Sequence, residues 1–150
     1  MIKVVLIEDE NVVLKGMAMV LKREPDVDLA GTAEDGNQGL ELIYREHPDV
    51  VLTDIRMPGL SGLEMIEQAQ MRFPDTVFII FSGFCEFKYV QQAIGLGVLA
   101  YLEKPVTVSD LRGALKKAAN LVDYKKNYIR MKERTQQVNR VMVGQALYDL

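Results

Sequence analysis

Five short apolar runs alternate with longer segments of helical spacing along the chain, and this alternation limits the possible folds more than any other feature. The runs are rich in β-branched and aromatic residues and cover 2–7, 27–33, 50–53, 77–81 and 98–102. They are mostly continuous rather than alternating, which is typical of strands buried on both faces of a parallel sheet. The pattern therefore predicts an α/β fold with helices covering the sheet.

A predicted helix follows each run. Four of these segments end at a proline or a pair of glycines, and the fifth begins at Thr107 with a sequence that resembles a capping box. Right-handed crossovers between the strands then produce a doubly wound parallel sheet. Such sheets bind their ligands beyond the carboxyl ends of the strands.

Composition and charge narrow the class of protein. With 49% hydrophobic and 26% charged residues, the chain can bury a core. Residues 1–120 carry 12 basic and 18 acidic side chains (net −6) and 121–150 carry 6 and 3 (net +3), so the total of −3 argues against a bare nucleic-acid-binding module. The single Cys85 suits a reducing cytosol. We find no signal-peptide pattern and no apolar run of membrane-spanning length, and we expect a cytoplasmic protein.

Reactive side chains follow four of the predicted strands. Glu8 and Asp9 come after the first, Asp54 after the third, Ser82 after the fourth and Lys104 after the fifth. Each has an ordinary explanation alone, since acids favour the start of a helix, serine favours turns and lysine favours the surface. Because the carboxyl ends of parallel strands meet at one edge, their joint occurrence predicts a single site.

The residue types at this edge indicate phosphoryl chemistry. Closely placed carboxylates repel one another unless a hard divalent cation lies between them, and Mg²⁺ prefers oxygen ligands. A carboxylate beside such a cation can attack phosphorus and form an acyl phosphate. A lysine opposite the cation neutralises charge during the transfer, and a serine hydroxyl can bond a phosphate oxygen.

Four segments carry these residues in a characteristic order and spacing: "IEDE", "LTDIRMPGLSGLEMI", "FSGF" and "AYLEKP". Together they resemble the receiver domain of two-component response regulators over residues 1 to about 120. The resemblance implies a five-stranded flavodoxin-like sheet of strand order 2-1-3-4-5. It also implies a switch that a sensor histidine kinase phosphorylates. Such a domain is not expected to be an enzyme, except that it promotes its own phosphorylation and dephosphorylation.

The resemblance implies roles for individual residues. Asp54 would be the phosphoacceptor. Glu8, Asp9 and Asp54 would hold Mg²⁺ together with the backbone carbonyl of Arg56, with Glu8 acting through water. As a hypothesis, Arg56 and Phe84 flank the site and tune the lifetime of the phosphoryl group.

The lysine, the serine and one tyrosine complete the implied site. Lys104 would contact the phosphoryl group, and the Lys104–Pro105 peptide bond would be cis. Ser82 and Tyr101 would form the switch pair, in which the hydroxyl swings to the phosphate and the ring moves into the space vacated.

A narrower resemblance lies in "FSGFCEFKYVQQAIGLGVLAYLEKPV". This segment is similar to the receivers of AraC-type, YesN-like transcriptional regulators, in which a linker and a pair of helix-turn-helix motifs follow the receiver. We therefore expect DNA binding only through an output domain absent from this chain.

The segment 121–150 has a heptad pattern and is predicted to be a helical extension. The a and d positions are Leu121, Tyr124, Tyr128, Met131, Thr135, Val138, Met142 and Gln145. About four heptads favour a coiled coil or a helix laid on a partner, although Thr135 and Gln145 weaken the apolar seam. We expect a homodimer through this helix or through a face of the receiver. The alternative is a single-domain receiver whose tail packs on itself.

Three other functions share part of this pattern. A dehalogenase-like phosphatase also uses an aspartyl nucleophile, but it needs a second acid two residues later, where this chain has Arg56. A dinucleotide-binding protein needs a glycine-rich turn that "IEDENVVLKG" lacks. A phosphorylation-independent pseudo-receiver, acting as an interaction module, would keep the fold without the site, and the presence of Asp9, Asp54 and Lys104 argues against it.

Overall fold

The protein is described by a computed structural model that covers residues 1–83 and 86–148, with backbone alone for 141–148. Strands and helices alternate along the chain. The elements are β1 (Ile2–Ile7), α1 (Asn11–Arg23), β2 (Val27–Ala33), α2 (Gly36–Glu46), β3 (Val50–Thr53), α3 (Gly62–Arg72), β4 (Val77–Ser82), α4 (Phe87–Gly95), β5 (Ala100–Glu103) and α5 (Val108–Tyr148). The predicted α/β alternation is confirmed.

All neighbouring strands are parallel and lie in the order β2-β1-β3-β4-β5. The predicted doubly wound sheet of order 2-1-3-4-5 is therefore confirmed. β1, β3 and β4 lie in the middle and are almost entirely buried, which explains their continuous apolar sequences. The edge strands β2 and β5 are only partly buried.

Two apolar cores lie on opposite faces of the sheet. One packs α1 and α5 against it, with Leu21 and Ala118 fully buried. The other packs α2, α3 and α4, with Ile43 and Ile66 fully buried. Consecutive strand residues such as Leu6 and Ile7 enter opposite cores, as the alternation of side chains along a strand requires.

Side-chain caps fix the starts of three helices at the positions where polar residues precede an apolar pattern. The hydroxyl of Ser61 accepts from the Glu64 amide at 3.2 Å, and the Asp35 carboxylate accepts from the Gln38 amide at 2.8 Å. The Thr107 hydroxyl accepts from the Asp110 amide at 3.0 Å, so the predicted start of the fifth helix is confirmed.

The fifth strand begins later than its sequence indicated. Gly97 has φ +75°, and the Val98 amide bonds back to the Ala93 carbonyl at 3.2 Å. Residue 98 therefore belongs to the connection after α4, and β5 covers Ala100–Glu103.

α5 has 41 residues and runs through residue 120 without a break. The domain boundary expected at that point stays a prediction. Within the described part of the chain, no helix combines the length and apolar character needed to cross a membrane.

Candidate phosphoryl-transfer site

The predicted reactive residues meet at the carboxyl edge of the sheet. β1 and β3 end immediately before Glu8 and Asp54, and β5 ends immediately before Lys104. Glu8, Asp54 and Ser82 are buried, whereas Asp9 is exposed. The convergence expected from parallel strands is therefore present.

The Asp54 carboxylate is held at both oxygens. Its Oδ1 accepts from the Ile55 amide at 2.6 Å, and its Oδ2 accepts from Lys104 Nζ at 2.7 Å. Its backbone amide donates to the Ile7 carbonyl at 3.1 Å, which ties the end of β3 to β1. Asp54 is 5% exposed, so the carboxylate is pre-oriented and largely shielded from water.

Glu8 is fully buried, and its two carboxylate oxygens have different surroundings. Oε1 accepts from the Glu10 amide at 3.1 Å. Oε2 lies 3.0 Å from Lys104 Nζ but makes no hydrogen bond of acceptable geometry to the described residues. Burial raises the pKa of the Glu8 carboxyl to about 7, and the neighbouring Asp54 charge adds to the rise while Lys104 opposes it.

Lys104 is the cation that faces both buried carboxylates. Its burial alone would lower the pKa of the ammonium, but the hydrogen bond to Asp54 and the negative charges of Asp54 and Glu8 outweigh burial and raise it. The backbone amide of Lys104 donates to the Ser82 carbonyl at 2.9 Å, which fixes the lysine beside the end of β4. The Lys104–Pro105 peptide bond is cis, as predicted.

Three carboxylates could hold a metal ion together. Glu8, Asp9 and Asp54 each offer one oxygen, and these three atoms lie within 4.8 Å of one another. Hard oxygen donors are the ligands that Mg²⁺ prefers, and Glu8 Oε2 is a buried acceptor without a hydrogen bond to the described residues. These residues therefore fit a magnesium ion. Coordination of the ion by the backbone carbonyl of Arg56 stays a prediction.

Ser82 and Tyr101 lie on the neighbouring strands β4 and β5. Tyr101 is paired with Ile80, and Ser82 with Glu103, so Ser82 is two residues beyond the partner of Tyr101 on the same face. Ser82 is fully buried, and Tyr101 is partly buried against the core that contains α2, α3 and α4. The ring is thus less enclosed than a core residue, and the proposed switching role stays a prediction.

One contact beside the site has no counterpart in the sequence patterns. Arg56 Nη2 donates to Glu86 Oε1 at 2.9 Å, and the guanidinium lies 5.5 Å from the centre of the Tyr89 ring. The contact joins the loop after Asp54 to the start of α4. Its partners are 30 residues apart, so no local spacing could have indicated it. Phe84, paired with Arg56 in the lifetime hypothesis, lies outside the described residues.

Comparison with known proteins supplies a family. The family model for the response regulator receiver domain matches residues 4–116. The transcriptional regulatory protein YesN of Bacillus subtilis (strain 168) is 33% identical over 116 residues, which are 77% of this chain and 32% of that protein. The transcriptional regulatory protein LiaR of the same strain is 34% identical over 119 residues, 79% of this chain and 56% of that protein.

Comparison with solved structures also finds a receiver domain. The signal receiver domain of the putative response regulator NarL from Mycobacterium tuberculosis superposes with a TM-score of 0.73 at 30% identity, covering 79% of this chain and 96% of that domain. The similarity to YesN and LiaR covers about a third and just over half of their lengths.

Proposed function

This chain belongs to the receiver domains of two-component response regulators, and we propose from that premise that a sensor histidine kinase phosphorylates it on Asp54. Receiver domains act as phosphorylation-controlled switches. The observation that carries the assignment is the Asp54 carboxylate, which is buried, held by the Ile55 amide and Lys104, and adjacent to two further acids. Among the described carboxylates, Asp54 and Glu8 both contact Lys104, belong to the metal-ligand cluster and directly follow a central strand. Glu8 is the more deeply buried of the two, so Asp54 is the more accessible to a phosphodonor.

The proposed reaction is a displacement at phosphorus. An Asp54 oxygen forms a P–O bond as the P–N bond of a kinase phosphohistidine breaks, and the imidazole nitrogen keeps the electron pair of that bond. Hydrolysis of the acyl phosphate by water releases inorganic phosphate and returns Asp54 to a carboxylate. We propose that the domain promotes only its own phosphorylation and dephosphorylation and acts on no other substrate.

The remaining site residues hold charge in place during this reaction. When bound, Mg²⁺ supplies positive charge that stabilises the phosphoryl oxygens. Glu8, Asp9 and Asp54 would hold the ion, with the Arg56 carbonyl as a further ligand. Lys104 already lies 2.7 Å from Asp54 Oδ2 and would follow a phosphoryl oxygen once Asp54 is modified.

Ser82 and Tyr101 are proposed to report the phosphoryl group to the rest of the domain. Ser82 ends β4 at the same edge as Asp54, and its hydroxyl would donate to a phosphoryl oxygen. Tyr101 lies on the adjacent strand and is only partly buried, and its ring would move to a more enclosed position when Ser82 bonds the phosphoryl group. A two-position element of this kind is what allosteric coupling requires.

The output of the switch is proposed to be transcriptional. YesN and LiaR carry names of transcriptional regulatory proteins and are longer than the matched segment. We propose that this receiver controls a DNA-binding domain of the same protein, of the AraC type suggested by the segment 81–106, and that it works in the cytoplasm.

Intact-mass spectrometry after incubation with acetyl phosphate tests the proposal. One phosphoryl adduct is expected with Mg²⁺, and none with EDTA or in Asp54→Asn. Asp75→Asn is the matched control, because Asp75 lies at the opposite end of the sheet, just before β4. Absence of an adduct in the wild type under every condition would instead favour a pseudo-receiver.

A further inference from the structure

The middle of α5 contacts the receiver along one side. Val122 is buried, Lys126 Nζ lies 3.5 Å from Asp49 Oδ1, and Lys125 Nζ donates to the Asp75 carbonyl at 3.5 Å. We call Val122, Lys125 and Lys126 the latch. It lies at the amino edge of the sheet, opposite the phosphoryl site, and sets the direction in which α5 leaves the domain.

Beyond the latch the helix is exposed on every side as far as residue 140, the last whose side chain is described. All side chains from 126 to 140 are exposed to solvent. The apolar ones include Tyr128, Met131 and Val138, which are 59%, 67% and 56% exposed, and Tyr124, one turn earlier, is 68% exposed. A helix without tertiary packing is marginally stable in water over such a length, so an unpaired helix here would lack its main source of stability.

These apolar residues form one stripe, which we call the seam: Leu121, Tyr124, Tyr128, Met131, Thr135 and Val138. At about 100° per residue, the centre of the seam lies about 140° around the helix from the latch. From Tyr124 onward the receiver therefore does not cover the seam, whereas Leu121, at its start, is partly buried against the receiver core. The 18 residues from 121 to 138 span about 27 Å of helix.

Thr135, the polar residue in the seam, is satisfied within its own helix. Its hydroxyl donates to the Met131 carbonyl at 2.9 Å. A threonine bonded in this way needs no partner for its hydroxyl proton, and its methyl group remains available for apolar contact. Thr135 therefore weakens the apolar seam less than its sequence position suggested.

The residues beside the seam favour a second copy in parallel orientation. In a parallel pair, each g residue faces the e residue five positions further along the other helix. Asn127 then faces Lys132, and Arg134 faces Asn139, so no basic residue meets another. An antiparallel pair centred on this stretch instead brings Lys125 close to Lys132 of the second copy.

We propose that residues 121–140 pair with the same segment of a second copy of this chain as a parallel, in-register, two-stranded coiled coil. The receivers then lie outside the coiled coil, each held by its latch. This assembly is independent of the proposed phosphorylation of Asp54, because the seam and the latch lie away from that site.

Sedimentation equilibrium of the whole chain tests the pairing without any phosphodonor. The wild type is expected to be a dimer, and Met131→Asp/Val138→Asp a monomer with unchanged receiver folding by near-ultraviolet circular dichroism. The matched control Gln136→Asp/Gln137→Asp adds the same charge and the same helix-weakening residue off the seam, and it is expected to remain a dimer. A monomeric wild type, a dimeric seam variant or a monomeric control would overturn the proposal.

Disulfide trapping tests the orientation in a Cys85→Ser background. Tyr124→Cys and Thr135→Cys, placed singly in the seam, are both expected to give covalent dimers under mild oxidation, because a parallel in-register pair brings each residue against itself. Gln137→Cys, off the seam, is expected to remain mostly monomeric. Trapping at neither seam position, or at only one of them, would contradict the proposal, because an antiparallel pair brings no residue against itself except at its centre.

Discussion

Replacing Gly62 with alanine tests the packing that holds the phosphoacceptor strand end. Gly62 is the first residue of α3, and its amide donates to the Ile55 carbonyl at 2.8 Å. A Cβ atom at this position would lie 2.0 Å from the Asp54 backbone oxygen and 3.0 Å from Ile55 Cα. Both neighbours are backbone atoms, so no side-chain rotation can relieve the contact.

The expected cost follows from that geometry. Forced overpacking costs about 1–3 kcal/mol, and we take the upper end because the backbone beside Asp54 must move. The better helix propensity of alanine returns at most about 1 kcal/mol. Gly62→Ala should therefore lower the free energy of unfolding by about 2 kcal/mol.

Gly113→Ala is the matched control. Gly113 lies inside α5, and nothing is within 4 Å of its Cβ position. The same substitution should raise the free energy of unfolding there by about 0.5–1 kcal/mol. Urea unfolding followed by circular dichroism gives both values. Changes of the same sign and similar size in the two variants would refute the reasoning.

Three further predictions concern the site. Asp9→Asn should weaken Mg²⁺ binding in calorimetric titrations yet change the free energy of unfolding in EDTA by less than about 0.5 kcal/mol, because Asp9 is exposed; equal Mg²⁺ affinity in the variant would exclude it as a ligand. In EDTA, the free energy of unfolding should fall as pH rises from 4.5 to about 7, because the pKa of Glu8 in the folded protein lies above its ordinary value. Glu8→Gln should remove the part of this fall that Glu8 causes. Identical pH profiles for the wild type and the variant would contradict the raised pKa of Glu8. Arg56→Ala and Glu86→Ala should each speed dephosphorylation about two- to fivefold, because an exposed ion pair contributes up to about 1 kcal/mol. Lys88→Ala should not, because it leaves the Arg56–Glu86 pair in place and removes a 3.7 Å contact to Glu86 and a 5.0 Å contact to the Tyr89 ring. Unchanged decay in the first two variants would contradict a role of the ion pair in the lifetime of the phosphoryl group.

The sequence was sufficient to predict the order of elements and the place of the site. The central strands are buried on both faces, so their apolar residues are continuous and easily distinguished from helical spacing. The proximity of Asp54 and Lys104 could be predicted from the sequence, because residues that follow parallel strands share one edge of the sheet.

Other features depend on contacts between distant parts of the chain and have no local signal. Arg56 and Glu86 meet only because α4 begins beside the loop after β3. The degree of burial of Glu8, and with it the raised pKa of its carboxyl, depends on how Lys104 and the surrounding strands close over it. The hydrogen bond of Thr135 likewise needed atomic positions, because threonine can also turn its hydroxyl to solvent.

Chemical mapping of the phosphoryl group tests the central claim most directly. An aspartyl phosphate is reduced by borohydride to homoserine, which marks the modified residue in tandem mass spectra of the digested chain. After incubation with acetyl phosphate and Mg²⁺, the account predicts homoserine at position 54 and nowhere else. Homoserine at position 9, or a borohydride-resistant phosphoryl group on Ser82, would contradict the assignment of Asp54 as the phosphoacceptor.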